Sequence, residues 1–306
     1  MRAIKPRQLM SSLHRRFLSS SLHRSDWGEH TVPHWFHREV ADLHRQKRTR
    51  QANLIGNLPT PCAQALQSHG IWLKHNVLPL EFFRRLKFEA FDHFVGQRDR
   101  NKNLLANWHK SQSFTLPLSY TNLLRQPFLQ SAITDDFIPH PLQYAAGRKA
   151  KPTYHLEAMA QCAPAFNFGS ENLGAAPFAI EHNARAPKAT ALLFLEKITP
   201  EDGALFYVPG SHHMSHQRIE WEYQKQLEED EREYQEEGAS TRLTDLQELD
   251  LPPLLPLRVE ANTLLIWDET GFHGRLPSTN IAQNAHTTPR LALRAEISTK
   301  ASARFN

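Results

Sequence analysis

Residues 194–213 read Phe-Leu-Glu-Lys-Ile-Thr-Pro-Glu-Asp-Gly-Ala-Leu-Phe-Tyr-Val-Pro-Gly-Ser-His-His. Two apolar runs, 191–195 and 204–208, flank a turn with Asp202-Gly203 at its tip. An Asp-Gly pair between such runs is a hairpin signal, because the turn needs positive φ. The residues therefore predict two antiparallel neighbouring strands joined at 201–203. The second run stops at Pro209-Gly210-Ser211-His212, where proline cannot continue a ladder.

Working outward, the pattern from about residue 153 is one of short strands punctuated by Pro, Gly and Asn, which predicts sheet architecture. Thr263-Leu264-Leu265-Ile266-Trp267 reads as a buried strand, and 290–297 as another. Earlier, 70–79 reads as a strand entering a turn, and Phe83, Leu86, Ala90, Phe91 and Phe94 recur at helical spacing. The segment 100–150 reads as irregular. Residues 217–238 are rich in Glu, Gln and Tyr and lack proline, which predicts a solvent-exposed helix inserted between strands.

The chain has 306 residues, 40% hydrophobic and 22% charged, enough to bury a full core. No apolar run has the length of a membrane span. Two cysteines, Cys62 and Cys162, make no disulfide framework and no metal-finger spacing, so a reducing, cytoplasmic compartment is expected. The net charge of +4 hides an asymmetry: residues 220–248 hold eleven acidic and three basic side chains, a net of −8, leaving +12 elsewhere. Residues 1–60 form a basic N-terminal region, read as a solvated arm. Six Lys/Arg and no acid before residue 26 also fit a mitochondrial transit peptide or a basic contact surface. No recognised nucleic-acid motif accompanies that charge.

The run Gly203-x-Leu205-x-x-Val208-Pro209-Gly210-Ser211-His212 resembles the phytanoyl-CoA dioxygenase (PhyH) family. That resemblance extends over roughly residues 68–298 and is sharpest at 191–213 and 261–294. It implies a double-stranded β-helix (jelly-roll, cupin-like), mainly β with flanking helices, occupying 61–306 with an acidic helical insertion at about 217–248. It also implies an iron(II)/2-oxoglutarate oxygenase acting on a small organic substrate.

In such enzymes two His and one carboxylate hold the metal on one face. Asn262-Thr263-Leu264-Leu265-Ile266-Trp267-Asp268-Glu269-Thr270-Gly271-Phe272-His273 looks like the family's distal strand and second metal His, which marks His273. Arg290 matches the arginine that pairs with the 2-oxoglutarate carboxylate, a role suited to a bidentate guanidinium. Arg294 is expected on the same strand face. The proximal H-x-D is degenerate: it falls within 180–187 in either of two placements. In one, His182 is the ligand and Ala184 stands where the carboxylate belongs; in the other, Glu181 replaces the His and Asn183 the Asp. The first is preferred because imidazole supplies the nitrogen iron takes, giving His182 and His273 as the metal pair.

A missing carboxylate resembles the halogenases of this chemistry, where chloride fills the position. It equally resembles a decayed, metal-free binding or scaffold protein. Three further features have bland readings. His155-Leu156-Glu157 reads as a strand, the His212, His213 and His216 cluster as structural, and Asp268 and Glu269 as turn caps.

Overall fold

The computed structural model describes residues 34–100, 113–159, 180–183, 188–200, 202–232, 241, 243–276 and 290–298. The chain opens with helix α1 (His34–Leu54), α2 (Thr60–His69), strand β1 (Ile71–Lys74) and α3 (Leu80–Arg100). Strand β2 (Ser113–Leu118), α4 (Pro127–Thr134) and α5 (Pro139–Ala146) follow. The strands β3 (Thr153–Met159), β4 (Ile180–Glu181), β5 (Ala189–Phe194) and β6 (Leu205–Tyr207) come next. Helices α6 (His216–Arg232) and α7 (Leu243–Glu248) precede β7 (Leu255–Pro256), β8 (Thr263–Asp268), β9 (His273–Arg275) and β10 (Arg290–Ile297).

The strands make two sheets, one ordered β1-β8-β5-β10-β3-β2 and the other β4-β9-β6-β7. Every pairing is antiparallel. All six residues of β5 and all six of β8 are buried. Such strands read as continuous apolar runs because both faces are covered. One face of the large sheet (Ala191, Leu193, Leu264, Ile266, Leu293, Ala295) packs under α2–α5. The other (Leu192, Phe194, Leu265, Trp267, Ala292) meets Leu205 and Tyr207 of the small sheet. The outer face of the small sheet (Ile180, Phe206, Val208) is capped by Trp221 of α6 and Leu246 of α7.

The hairpin expected at 191–208 is corrected. Both runs are strands, but β5 pairs with β8 and β10, and β6 with β7 and β9. The turn carries the chain from one sheet to the other. Asp202 Oδ2 accepts from Thr199 N at 2.8 Å and from its Oγ1 at 2.6 Å, and Gly203 sits at φ 79°. A connection of ten residues between β5 and β6 is long for a tight hairpin, and a strand apolar on both faces needs a neighbour on each side.

Of the segment 100–150, residues 101–112 lie outside the described residues, and 113–150 hold a strand and two helices where irregular chain was expected. Buried Leu116 and Leu118 alternate with exposed Thr115 and Pro117 along β2, and Pro117 is tolerated because β2 is an edge strand. Of the exposed helix expected at 217–238, residues 217–232 belong to α6, where Arg218, Ile219, Trp221 and Glu222 are buried; 233–238 lie outside the described residues. Residues 34–54, read as part of a solvated basic arm, form α1. Phe36 and Val40 pack against Ile219, and Lys47 is buried. No helix among the described residues is long and apolar enough to cross a membrane.

Candidate functional site between the sheets

Cross-strand partners in an antiparallel pair share a face. On the small sheet, His273 stands opposite Glu181 on one side and Tyr207 on the other. Tyr207 belongs to the core between the sheets, and the His273 ring lies 5.9 Å from that of Trp267, also in that core. His273 therefore faces inward. Its Nδ1 is 2.8 Å from the carbonyl of Gly271. A carbonyl only accepts, so Nδ1 carries the proton and Nε2 presents its lone pair, the tautomer of a metal-ligating imidazole. Gly271 must lack a side chain, since a Cβ there would overlap the Tyr207 hydroxyl.

Two residues along β9 the same face carries Arg275, which pairs with Glu157 of β3. Arg294 of β10 reaches Glu157 Oε2 at 3.3 Å and also pairs with Glu296. Glu157 is fully buried. The interior thus holds two guanidiniums around one carboxylate. Burial opposes the charge on Arg294, but Glu157, Glu296 and Glu269 hold it firmly protonated. Two buried donors on residues of this face, Arg294 Nε and Trp267 Nε1, have no hydrogen-bond partner among the described residues. Buried polar groups are nearly always satisfied, so two orphans on one face mark a place for an acceptor.

The sequence candidates distribute unevenly. His182 does not join His273. Its ring packs 5.0 Å from Phe272 and 5.3 Å from Trp221, both in the cluster on the outer face of the small sheet. Its Nε2 lies 3.2 Å from Glu222 Oε2 and its Nδ1 3.4 Å from Thr241 Oγ1. Glu222 in turn accepts from Arg218 at 2.7 Å, and Arg218 lies over Phe272 at 3.7 Å. Burial pushes the Glu222 carboxyl up, but the hydrogen bond from His182 and the Arg218 charge overcome it and hold it at about 2. Strand alternation is the reason: Glu181 and His182 are consecutive, so they point to opposite faces. The register places Glu181, the other of the two sequence placements, beside His273. Asn183 follows, its N–H bonded to the Glu269 carbonyl at 2.7 Å. Ala184 lies outside the described residues.

Arg290 is held at the inter-sheet turn. Its guanidinium pairs with Asp202 and donates to the Lys197 carbonyl at 3.1 Å. Arg294 lies on the same strand face, as its even spacing from Arg290 requires, and is the arginine that meets the interior network. Asp268 is engaged elsewhere: buried Lys47 pairs with it and donates to Thr270 Oγ1 at 3.3 Å. Glu269 accepts from the Thr190 hydroxyl. His212 bonds the Gln67 carbonyl at 3.1 Å, and burial above all pushes its ring down to about 4. Glu157 reads from the sequence as part of a strand, and Arg275, Arg218 and Glu222 carry no signal of their own there. A lone charge in a strand or an acidic helix looks solvated, and only the partner across the fold shows otherwise.

A family model for phytanoyl-CoA dioxygenase (PhyH) matches residues 173–279. Over that stretch the chain is PhyH-like. The PhyH-like segment contains β4–β9, and so both Glu181 and His273. Among solved structures, the chain is similar to HygX from Streptomyces hygroscopicus with nickel and 2-oxoglutarate bound, at 14% identity and TM-score 0.46, covering 79% of this chain and 88% of that one. It is also similar to the non-heme alpha ketoglutarate dependent carbocyclase SnoK from nogalamycin biosynthesis, at 16% identity and TM-score 0.46, covering 79% and 85%. A third is EctD from S. alaskensis with 2-oxoglutarate and 5-hydroxyectoine, at 12% identity and TM-score 0.49, covering 78% and 75%. No curated protein matches the chain in sequence.

By register, His273 and the exposed Glu181 are cross-strand neighbours, one imidazole and one carboxylate on the same face of the small sheet. A set of two His and one carboxylate is not assembled there: among the described residues, the one group of three metal-binding side chains lies elsewhere.

Proposed function

We propose that this chain is an iron(II)/2-oxoglutarate oxygenase-type enzyme of PhyH kind, a cytoplasmic protein that oxidises a small organic substrate between its two sheets. The observation that carries the reading is a pair of buried donors, Arg294 Nε and Trp267 Nε1, that find no partner among the described residues and belong to residues on the same inner face as His273. The strand orders β8-β5-β10-β3 and β4-β9-β6-β7 support it, being the interleaved order of a double-stranded β-helix.

His273 and Glu181 are the residues that would hold iron, and Arg294 with Arg275 would bind the co-substrate carboxylate. Iron(II) with 2-oxoglutarate supplies O₂ activation, with oxidation of a C–H bond and conversion of the co-substrate to succinate and CO₂. The chain's own part is positional. The Gly271 carbonyl fixes the His273 tautomer, Tyr207 and Trp267 wall the site off from water, and Glu157 holds both guanidiniums until an anion arrives. Because Glu181 supplies the anionic ligand, hydroxylation rather than chloride-dependent halogenation is the outcome we assign.

A second reading, a non-catalytic PhyH-like binding protein, is favoured by the engagement of His182 with Glu222. Anaerobic titration with iron(II) and 2-oxoglutarate separates the two. Charge-transfer absorbance that appears without chloride and is lost in Arg294→Ala supports the enzyme. Absence of absorbance with or without chloride overturns it in favour of the binding protein, and absorbance that requires chloride shifts the assignment to halogenation.

A further inference from the structure

The cluster His212, His213 and His216 is not one unit. The rings of His212 and His213 lie tilted against each other with centroids 4.0 Å apart, whereas His216 turns to a different helix. Its ring stacks on His37 of α1 at 4.7 Å, and its Nδ1 lies 3.2 Å from Glu220 Oε1. The donor atoms of His37, His216 and Glu220 all lie within 4.8 Å of one another.

We propose that His37, His216 and Glu220 form a second metal site, which takes a borderline divalent cation of the zinc type and fastens α1 to α6. The site is separate from His273 and does not depend on the oxygenase reading. The ligand set is two imidazoles and a carboxylate, the donors zinc takes when a fourth position is left to water. His216 and Glu220 are four apart, so they share one face of α6. An ordinary surface ion pair accounts for those two but not for the imidazole brought from another helix. That third donor is placed by packing: Phe36 and Val40 meet Ile219, and Phe36 meets Tyr223 edge-on at 5.1 Å. This apolar seam fixes the helix crossing and sets His37 at its rim. Zinc–nitrogen bonds of about 2.0 Å set donor atoms about 3.3 Å apart. The side chains of His216 and Glu220 are 75% and 48% exposed, so rotation of free side chains closes the remaining gap without moving backbone.

The consequence is a clamp on the N-terminal helix. Helix α1 delivers Lys47 to Asp268 at the end of β8 in the large sheet, and α6 delivers Glu222 to His182 beside the small sheet, so a cation joining the helices braces one support of each sheet. The test uses full-length protein stripped by a chelator, in a His273→Ala background that removes the inner imidazole. Cobalt(II) should give the visible absorption of a four-coordinate site at one equivalent, and zinc(II) should displace it and raise the melting temperature. His37→Ala and His216→Ala should each abolish the band, and His216→Ala, at an exposed position, should leave the metal-free melting temperature unchanged. Glu220→Gln should weaken binding by about tenfold or more, since even a lost outer hydrogen-bond partner of a ligand costs on the order of 10–100-fold. A cobalt spectrum absent in the His273→Ala protein, a spectrum that survives His37→Ala, or a melting temperature indifferent to zinc would each overturn the proposal.

Discussion

Replacing Glu157 with Gln probes the interior network directly. The wild-type carboxylate is fully buried and accepts from both Arg275 and Arg294, whose side chains are 22% and 29% exposed. Gln keeps the shape and removes the charge, leaving two guanidiniums facing each other across a neutral amide. Breaking a buried ion pair by removing one partner costs roughly 3–5 kcal/mol. Arg294 keeps Glu296, and neither arginine is wholly buried, so the lower end, about 3 kcal/mol, is the appropriate figure. For a chain of this size that lowers the melting temperature by about 5 °C. The diagnostic part is rescue. Succinate or 2-oxoglutarate at millimolar concentration should restore most of the loss in Glu157→Gln and raise the wild type much less, because in the wild type Glu157 already occupies the guanidiniums. The assay is thermal melting against dicarboxylate concentration, with chloride at equal ionic strength as control. A variant that melts within a degree of wild type, or that chloride restores as well as succinate does, would refute the idea that this network is an anion site.

Three further outcomes are expected. Arg290→Ala should unfasten the inter-sheet turn at a cost of about 1–3 kcal/mol, visible in urea denaturation, while leaving 2-oxoglutarate binding intact; loss of binding would restore Arg290 as the anchor. Gly271→Ala should destabilise strongly, because the added Cβ overlaps the Tyr207 hydroxyl and abuts Ser211; it should fail to express as folded protein, whereas Gly56→Ala, with open space around it, should be neutral. Stability should fall with acid in two windows. His212, depressed from 6.5 to about 4, contributes stability that is complete above 6.5 and lost as pH falls through about 4. Glu222, lowered from 4.5 to about 2, contributes stability complete above 4.5 and lost as pH falls through about 2. His212→Gln should flatten the first window only, and a melting curve against pH that keeps its slope in that variant would count against the assignment.

The apolar runs 191–195, 204–208 and 263–267, the strand at 71–74 and the helix from 80 were all legible, because hydrophobic periodicity and turn chemistry are local. His273 was legible too, through the wording of the chain around it. What the sequence could not contain was pairing. The Asp202-Gly203 turn looks the same whether it folds a strand back on its neighbour or lifts it to a second sheet, and burial on both faces of β5 decides for the second. Glu181 and His182 are adjacent letters, and only the register of β4 against β9 sends one inward and the other under α6. Arg290 and Arg294 share a strand face, yet Asp202 takes the first and Glu157 meets the second. By itself the sequence determined that the runs at 191–195, 204–208, 263–267 and 290–297 form strands and that a histidine follows the third of them. The tertiary structure decided which charges face the interior, because a buried charge is identified by the partner across the fold, and that partner is distant in the chain.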